Sequence, residues 1–322
     1  MKEKDLFCFM NTVIRQLEDE GRYGTAHVYR STLNRIREFE GGRTFFPFQS
    51  LTRMWLKALE NYLYRQGKSF NTISTYMRML RAMYNRAAAQ HFIPFDPLLF
   101  RRMHTGSRPG CSRALSTDTI HSILNPQKEL PGDLEAVRRC FVLLFLLRGL
   151  CFVDLAYMRP TDLQSNRIFY CRRKTGRPLC IDVEPEASDI LREYISRETD
   201  SPYLFPFVRA QGKASYRQYQ SALRLFNKQL KRLSAFLGLE VKLSSYCARH
   251  SWATIANFRH YDKSMISNAM GHSSVKVTET YFQRYNDEEI ARMNREIILY
   301  VSETGKKRSG KMYGKLLTSR EI

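Results

Sequence analysis

Apolar residues recur every three or four positions from Phe7 to Tyr84, and then the pattern stops. Phe7, Met10, Ile14 and Leu17 make one stripe, and Ala26, Tyr29, Leu33 and Ile36 a second. Trp55, Leu59 and Tyr62, then Ile73, Met77, Leu80 and Tyr84, complete a set that predicts four amphipathic helices. Gly41-Gly42, Pro47 and Gly67 punctuate them, and Ser69 or Asn71 can cap the fourth. Beyond Pro94 and Pro97, the stretch from His104 to Arg113 is rich in Gly, Ser, Pro and Arg and has no apolar period. A chain of 322 residues exceeds one compact core of ordinary size, so this stretch reads as a linker between two lobes. The predicted divisions are a first lobe over 1–103, a linker over 104–115, a second lobe over 116–304 and a basic tail over 305–322.

The second lobe opens with a helix capped by Ser116 or Thr117, followed by a strongly apolar helix from about Val137 to Tyr157. Strands over 167–171 and 179–183 flank the turn 174–178 and predict a hairpin. Further helices are predicted at about 185–197, 215–237, 246–258, 262–270, 274–283 and 287–302. The fold class is therefore mainly α, with one small antiparallel β element.

Charge narrows the partner. Against 31 Asp and Glu stand 52 Lys and Arg, a net charge of +21, and such an excess binds a polyanion by releasing its counterions. With 43% hydrophobic and 12% aromatic residues the chain is a folded globule, which favours nucleic acid over a basic membrane-surface tail. The longest apolar run, Phe141–Leu147, is far short of the roughly 20 residues that cross a bilayer. Lysine and acidic residues at positions 2–5 replace the apolar stretch of a secretion signal. Seven cysteines form no CxxC pair and no zinc-spaced cluster, which predicts reduced thiols, a cytoplasmic location and no metal.

Three segments carry the chemistry: Ser244-Ser-Tyr246-Cys-Ala-Arg249-His250-Ser-Trp252, then Met270-Gly271-His272, then Thr278-Glu-Thr-Tyr281. Together they resemble the signature of tyrosine recombinases, in which a His-x-x-Arg-His box, a Leu-Gly-His turn and a tyrosine nine residues past that histidine follow in order. The resemblance extends over nearly the whole chain, and its variant details resemble Bacteroides-type integrases and invertases. It implies a two-domain clamp of the DNA breaking-rejoining fold, with a four-helix SAM-like core-binding domain and an α-helical catalytic domain bearing a small β-hairpin. It also implies site-specific integration, excision or inversion through a 3′-phosphotyrosine. Implied partners are double-stranded DNA with inverted-repeat core sites, a homotetramer in the synapse and accessory DNA-bending proteins. The C-terminal helix, with Ile290, Met293, Ile297 and Ile298, would dock on a neighbouring protomer.

The chemistry is consistent with those residue types. Breaking a phosphodiester with a side-chain hydroxyl needs a nucleophile, cations for the charge on the non-bridging oxygens, and an acid for the leaving 5′ oxygen. Tyr281 is the expected nucleophile, with Tyr285 and Tyr261 as rivals. Guanidinium groups grip phosphate bidentately and stay charged, so no metal, ATP or other cofactor is called for. Arg249 supplies one. The family's second arginine lies in a Gly-Leu-Arg-x-x-Glu segment, whereas here Gly149-Leu-Cys151-Phe-Val-Asp154 puts a cysteine in its place. Arg148, three residues before Cys151, is expected to reach the same phosphate from one turn back; the plain alternative is a pair with Asp154. Lys174 at the hairpin turn matches the family's general acid, with Arg172 and Arg173 as rivals. Tyr246 stands where the box has its first histidine and cannot shuttle protons as an imidazole does. His272 is expected to touch the phosphate, while His250 is either a packing residue or a member of the catalytic set. Two other readings share these residues: relaxation of DNA as in type IB topoisomerases, and a DNA-binding protein whose centre has decayed at Cys151 and Tyr246.

Overall fold

The computed structural model describes residues 4–108, 110, 112–195, 201–283 and 290–299. Four helices form the first lobe: α1 (Leu6–Asp19), α2 (Tyr23–Phe39), α3 (Arg53–Arg65) and α4 (Phe70–Ala89). Asp5 caps α1 through the amides of Phe7 and Cys8, Thr52 caps α3 through that of Trp55, and Ser69 caps α4 through that of Thr72. Leu6, Met10, Ile14, Leu33, Leu56, Leu63, Ile73 and Met77 fill the core between them. Each such side chain contributes about 1.5–3 kcal/mol by leaving water.

The stripe in α3 differs from the predicted one. Leu56, Leu59 and Leu63 point inward, while Trp55 sits at the edge and donates from its indole nitrogen to Glu40. On the same buried face Glu60 is fully covered and accepts from Lys57 and from the backbone and ring nitrogens of His104. A buried carboxylate needs such partners, and here they fasten the start of the linker to the first lobe. Asn71, a candidate cap, instead exchanges two hydrogen bonds with the backbone of Arg108.

The second lobe contains α5 (Thr117–Leu124, capped by Ser116), α6 (Gly132–Leu146) and α7 (Phe152–Ala156). A three-stranded antiparallel sheet follows in the order β1 (Leu163–Gln164), β2 (Arg167–Cys171), β3 (Pro178–Asp182), with Phe169 opposite Cys180. Next come α8 (Pro185–Ile195), α9 (Gly212–Phe236), α10 (Ser245–Phe258), α11 (Lys263–Ala269) and α12 (Val275–Glu279). Residues 290–299 are also helical, and the remainder of the predicted final helix and tail lies outside the described residues. The core runs along α6, which packs against α8, α9 and α10, and is built from residues such as Phe141, Leu144, Leu155, Phe205 and Leu230.

The long helix predicted over 137–157 is broken between Leu146 and Phe152. Gly149 has φ +67, and a Cβ there would lie 3.0 Å from the Cα of Arg249. The break lets α10 approach that closely. Strand β1, two residues long, is too short to show alternation in the sequence.

The lobes touch where Lys213 at the start of α9 meets Glu18 of α1 at 2.8 Å and Tyr23 lies beside Tyr216. The linker meets α10, with the amide of Leu115 donating to Ser251 at 2.8 Å.

Candidate active site

Helix α10 supplies Tyr246, Arg249 and His250, and the Gly149 break and the turn at Met270–His272 close around it. Arg249 is 3% exposed and donates to the carbonyls of Gly149 and Met270 and, at 2.8 Å, to Nε2 of His272. Because a guanidinium only donates, Nε2 of His272 is the acceptor, and its Nδ1–H goes to the Thr278 hydroxyl at 2.7 Å. Burial, with the charges of Arg249, Arg172 and Lys174, pushes His272 down to about 3. It is a neutral imidazole that holds Arg249 in place.

Tyr281 follows α12 in the turn after Glu279. Its ring stacks on His272 at 5.0 Å between centroids and lies 4.7 Å from the ring of His250, with the Arg249 guanidinium 5.5 Å from its centre. Its carbonyl faces His250 Nδ1 at 3.1 Å, Thr254 Oγ1 at 3.2 Å and Ser112 Oγ at 3.3 Å. Thus α10 and the linker both fix this backbone. His250 lies below the ordinary histidine value, because burial and the charges of Arg113 and Arg249 outweigh its bond to that carbonyl. Tyr246, one turn before His250, is pushed up by desolvation.

The second buried guanidinium is Arg172, at the end of the hairpin strand. It is 4% exposed, donates to the Gly271 carbonyl at 2.8 Å and lies 3.5 Å from the sulfur of Cys151. Its Nε is 3.9 Å from Asp154, whose other oxygen accepts from the amide of Arg173 at 2.9 Å. Burial raises the Asp154 carboxyl above its usual range despite these cations. Gly271, φ +65, admits this packing, since a Cβ would lie 2.7 Å from Leu179 and 3.1 Å from the Arg172 side chain.

Arg148 does not join this group, which corrects the expectation from the sequence. It lies past the end of α6 with φ +56, so it shares no helix face with Cys151. Its guanidinium instead meets the Cys180 carbonyl at 3.2 Å and Asp182 at 3.3 Å. It pairs with a carboxylate, though with Asp182 rather than Asp154. Sequence reasoning considered Arg172 only as a rival to Lys174. The structure separates the three hairpin cations: Arg172 turns inward, Arg173 lies over the ring of Tyr157 at 3.7 Å, and Lys174 stays exposed at the turn. Arg177 braces the hairpin on the His272 carbonyl at 2.7 Å and on Asn268.

Lys174, Arg172, Arg249, Tyr246, Cys151 and Arg113 line one cleft of about 240 Å³. The rival Tyr261 borders a separate groove with Trp252 and Met265, and Tyr285 lies outside the described residues. Among the described residues no group of three or more His, Cys, Asp or Glu could hold a metal ion, and no helix is long and apolar enough to cross a membrane.

A tyrosine ring beside one buried guanidinium, with a second buried guanidinium lining the neighbouring cleft of a basic two-lobed helical protein, suits chemistry on a nucleic-acid phosphate. Residues 5–103 match the model for the phage integrase SAM-like domain, and residues 113–288 that for the phage integrase family. The chain belongs to the phage integrase family of tyrosine recombinases, DNA strand transferases that act in site-specific recombination. It is 24% identical over 280 residues to tyrosine recombinase XerC of Syntrophus aciditrophicus (strain SB), covering 80% of this chain and 86% of that protein. It is 28% identical over 148 residues to tyrosine recombinase XerA of Pyrococcus furiosus, covering 44% of this chain and 49% of that one. Its fold is shared with the integrase of transposon Tn1549, solved with transposon right-end DNA (TM-score 0.64, 16% identity, 91% of this chain and 99% of that one). It is shared equally with lambda integrase, solved as a dimer on a COC′ core site (TM-score 0.64, 16% identity, 88% and 99%).

Proposed function

We propose that this recombinase clamps a duplex core site between its two lobes and cuts one strand with Tyr281, leaving a 3′-phosphotyrosine and a free 5′ hydroxyl. The observation that carries this reading is the Tyr281 ring lying against His272 and Arg249 within one protomer. Arg249 and Arg172, from two separate elements, grip the non-bridging oxygens, and Tyr246 at the cleft wall hydrogen-bonds one of them. His272 holds Arg249, and Asp154 holds Arg172. As the phenolic oxygen bonds to phosphorus and the bond to the 5′ oxygen breaks, Lys174 gives that oxygen a proton. The phosphotyrosine conserves the bond, so a 5′ hydroxyl from a partner duplex reseals the strand by the reverse step.

Four protomers on two inverted-repeat sites would perform the exchange, assisted by accessory DNA-bending proteins, in the bacterial cytoplasm at the nucleoid. Lambda integrase has been solved as a tetramer on a Holliday junction. In this chain the helical residues 290–299 expose Ile290, Met293 and Ile297. A groove of about 450 Å³ between α10 and α11, lined by Phe145, Trp252, Ile255 and Met265, suits that apolar face on a neighbouring copy. Domain limits of 1–103, 104–115, 116–304 and 305–322 fit this division of labour. A decayed centre is not favoured, because Arg172 brings a guanidinium to the side of Cys151.

The test is a nicked suicide duplex carrying the cognate site, with covalent adduct read on a denaturing gel. Wild type forms the adduct, and Tyr281→Phe binds the same DNA without forming it. Adduct formation by Tyr281→Phe would overturn the assignment.

A further inference from the structure

Attack by Tyr281 must release a phenolic proton, and the reading above, on which this inference rests, gives that proton no acceptor. Of the seven histidines, His272 and His250 have rings against Tyr281. His272 is not free to accept, because its Nε2 lone pair is filled by Arg249 and its Nδ1–H by Thr278. Tyr246 is itself a phenol, and Lys174 must be protonated beforehand to serve the leaving oxygen.

His250 is arranged differently. Its Nδ1 lies 3.1 Å from the Tyr281 carbonyl oxygen, which can only accept, so Nδ1 carries the hydrogen and Nε2 keeps its lone pair. No described residue hydrogen-bonds Nε2, and the two rings are 4.7 Å apart. Since Thr254 and Ser112 also face that carbonyl, the nucleophile's backbone is held in register with the imidazole.

We propose that His250 is the general base of the reaction, taking the Tyr281 phenolic proton on Nε2 during cleavage and returning it on rejoining. In the forward step the O–H bond of Tyr281 breaks as Nε2–H forms. The phenolic oxygen bonds to phosphorus, the phosphorus–O5′ bond breaks, and O5′ takes a proton from Lys174. The site then holds an imidazolium and a neutral amine, and rejoining reverses every transfer, so no external acid, base or co-reactant is consumed. The charged and titratable groups facing His250 are Arg113 from the linker, Arg249 and Tyr246 from its own helix, and Tyr281. Burial, with the two arginines, shifts His250 below the ordinary histidine value and so favours the neutral imidazole that a base requires.

The test is single-turnover adduct formation on the suicide duplex between about pH 5 and 9. His250→Asn keeps an amide N–H for the Tyr281 carbonyl but has no basic nitrogen. Its expected rate near neutral pH is about 10²–10³-fold below wild type with DNA affinity unchanged. The acidic limb of the wild-type profile, set by a group below the ordinary histidine value, should vanish in the variant. Sulfur in place of the bridging 5′ oxygen leaves without protonation and should rescue Lys174→Ala but not His250→Asn. A His250→Asn rate within about threefold of wild type would overturn the proposal, as would sulfur rescue of that variant. Should the variant fail to fold, a wild-type profile lacking the acidic limb would overturn it equally. Failure of wild type to form any adduct on its cognate site would instead sink the nucleophile assignment itself.

Discussion

Replacing Arg172 with alanine should do two separable things. Its guanidinium is buried with Asp154, and both side chains are almost fully covered. Removing one member of such a pair strands the other and costs about 3–5 kcal/mol of stability. The sign of its pH dependence follows from Asp154. A carboxyl raised in the folded state stabilises the fold below its unfolded value, and that contribution is lost as pH rises through the folded value. Arg172→Ala removes a cation that opposed the rise, so its stability deficit is largest near neutral pH and shrinks on acidification. The chemical effect is independent: losing one donor to the transition-state phosphate slows cleavage by about 10²–10³-fold, equivalent to about 3–4 kcal/mol. The double variant Arg172→Ala, Asp154→Asn separates the two, because asparagine still accepts from the Arg173 amide without a stranded charge. Thermal unfolding should show most of the stability restored, while single-turnover cleavage stays about 10²–10³-fold below that of Asp154→Asn alone. Arg148→Ala, which breaks a part-exposed pair with Asp182 and a hydrogen bond to the Cys180 carbonyl, should cut within a few-fold of wild type. A double variant that cleaves as fast as Asp154→Asn, or an Arg148→Ala that loses as much as Arg172→Ala, would refute the assignment.

Gly149→Ala forces a side chain onto positive φ and against the Arg249 backbone, so it should lower stability by about 1–3 kcal/mol and slow cleavage more than DNA binding. Glu18 lies between Arg30 and Lys213, and its hydrogen bonds to them lower it from 4.5 to about 2. A depressed carboxyl contributes stability above its unfolded value and loses it as pH falls through the folded one, so the contact between lobes should loosen between 4.5 and about 2. Glu18→Gln should loosen it at neutral pH, and X-ray scattering would show a larger radius of gyration for the DNA-free protein. Met265→Glu puts a charge into the groove between α10 and α11 and should block synapsis, seen as loss of paired-site complexes in native gels, while suicide cleavage of a single site persists.

Much of this site was legible because its parts follow one another along helices. Arg249 and His250 share α10, and the spacing from His272 to Tyr281 fixes the turn that returns the tyrosine to them. The four-helix lobe was equally readable from its stripes, apart from a one-residue shift in α3 where Trp55 found a hydrogen-bond partner in Glu40 and left the core to Leu56. Arg172 was not legible as the second buried cation. It meets Cys151 from the hairpin, across 21 positions, and only the break at Gly149 and the register of the sheet bring them together. Helical spacing pointed to Arg148, but that argument requires a continuous helix, and α6 ends at Leu146. The polar contacts of the linker, Asn71 with Arg108 and Ser112 with the Tyr281 carbonyl, carry no periodic signal at all.

The balance of charge fits a site that is assembled without DNA, as the proposed function requires. Two guanidiniums are nearly removed from water, and Asp154, packed beside Arg172, is itself held toward its neutral form by burial. The cations are kept in position by main-chain carbonyls at Gly149, Met270 and Gly271, which fix geometry without cancelling charge. His272 is held neutral by burial as well, and Nε of Arg249 is buried with no hydrogen-bond partner among the described residues. An uncompensated buried charge is costly on its own, so this arrangement is unfavourable in isolation and, on the proposed mechanism, would become favourable when a phosphate enters. On the proposed mechanism that cost, met in advance by the packing of α6, α10 and the hairpin, would allow the cations to stabilise a transition state without rearranging.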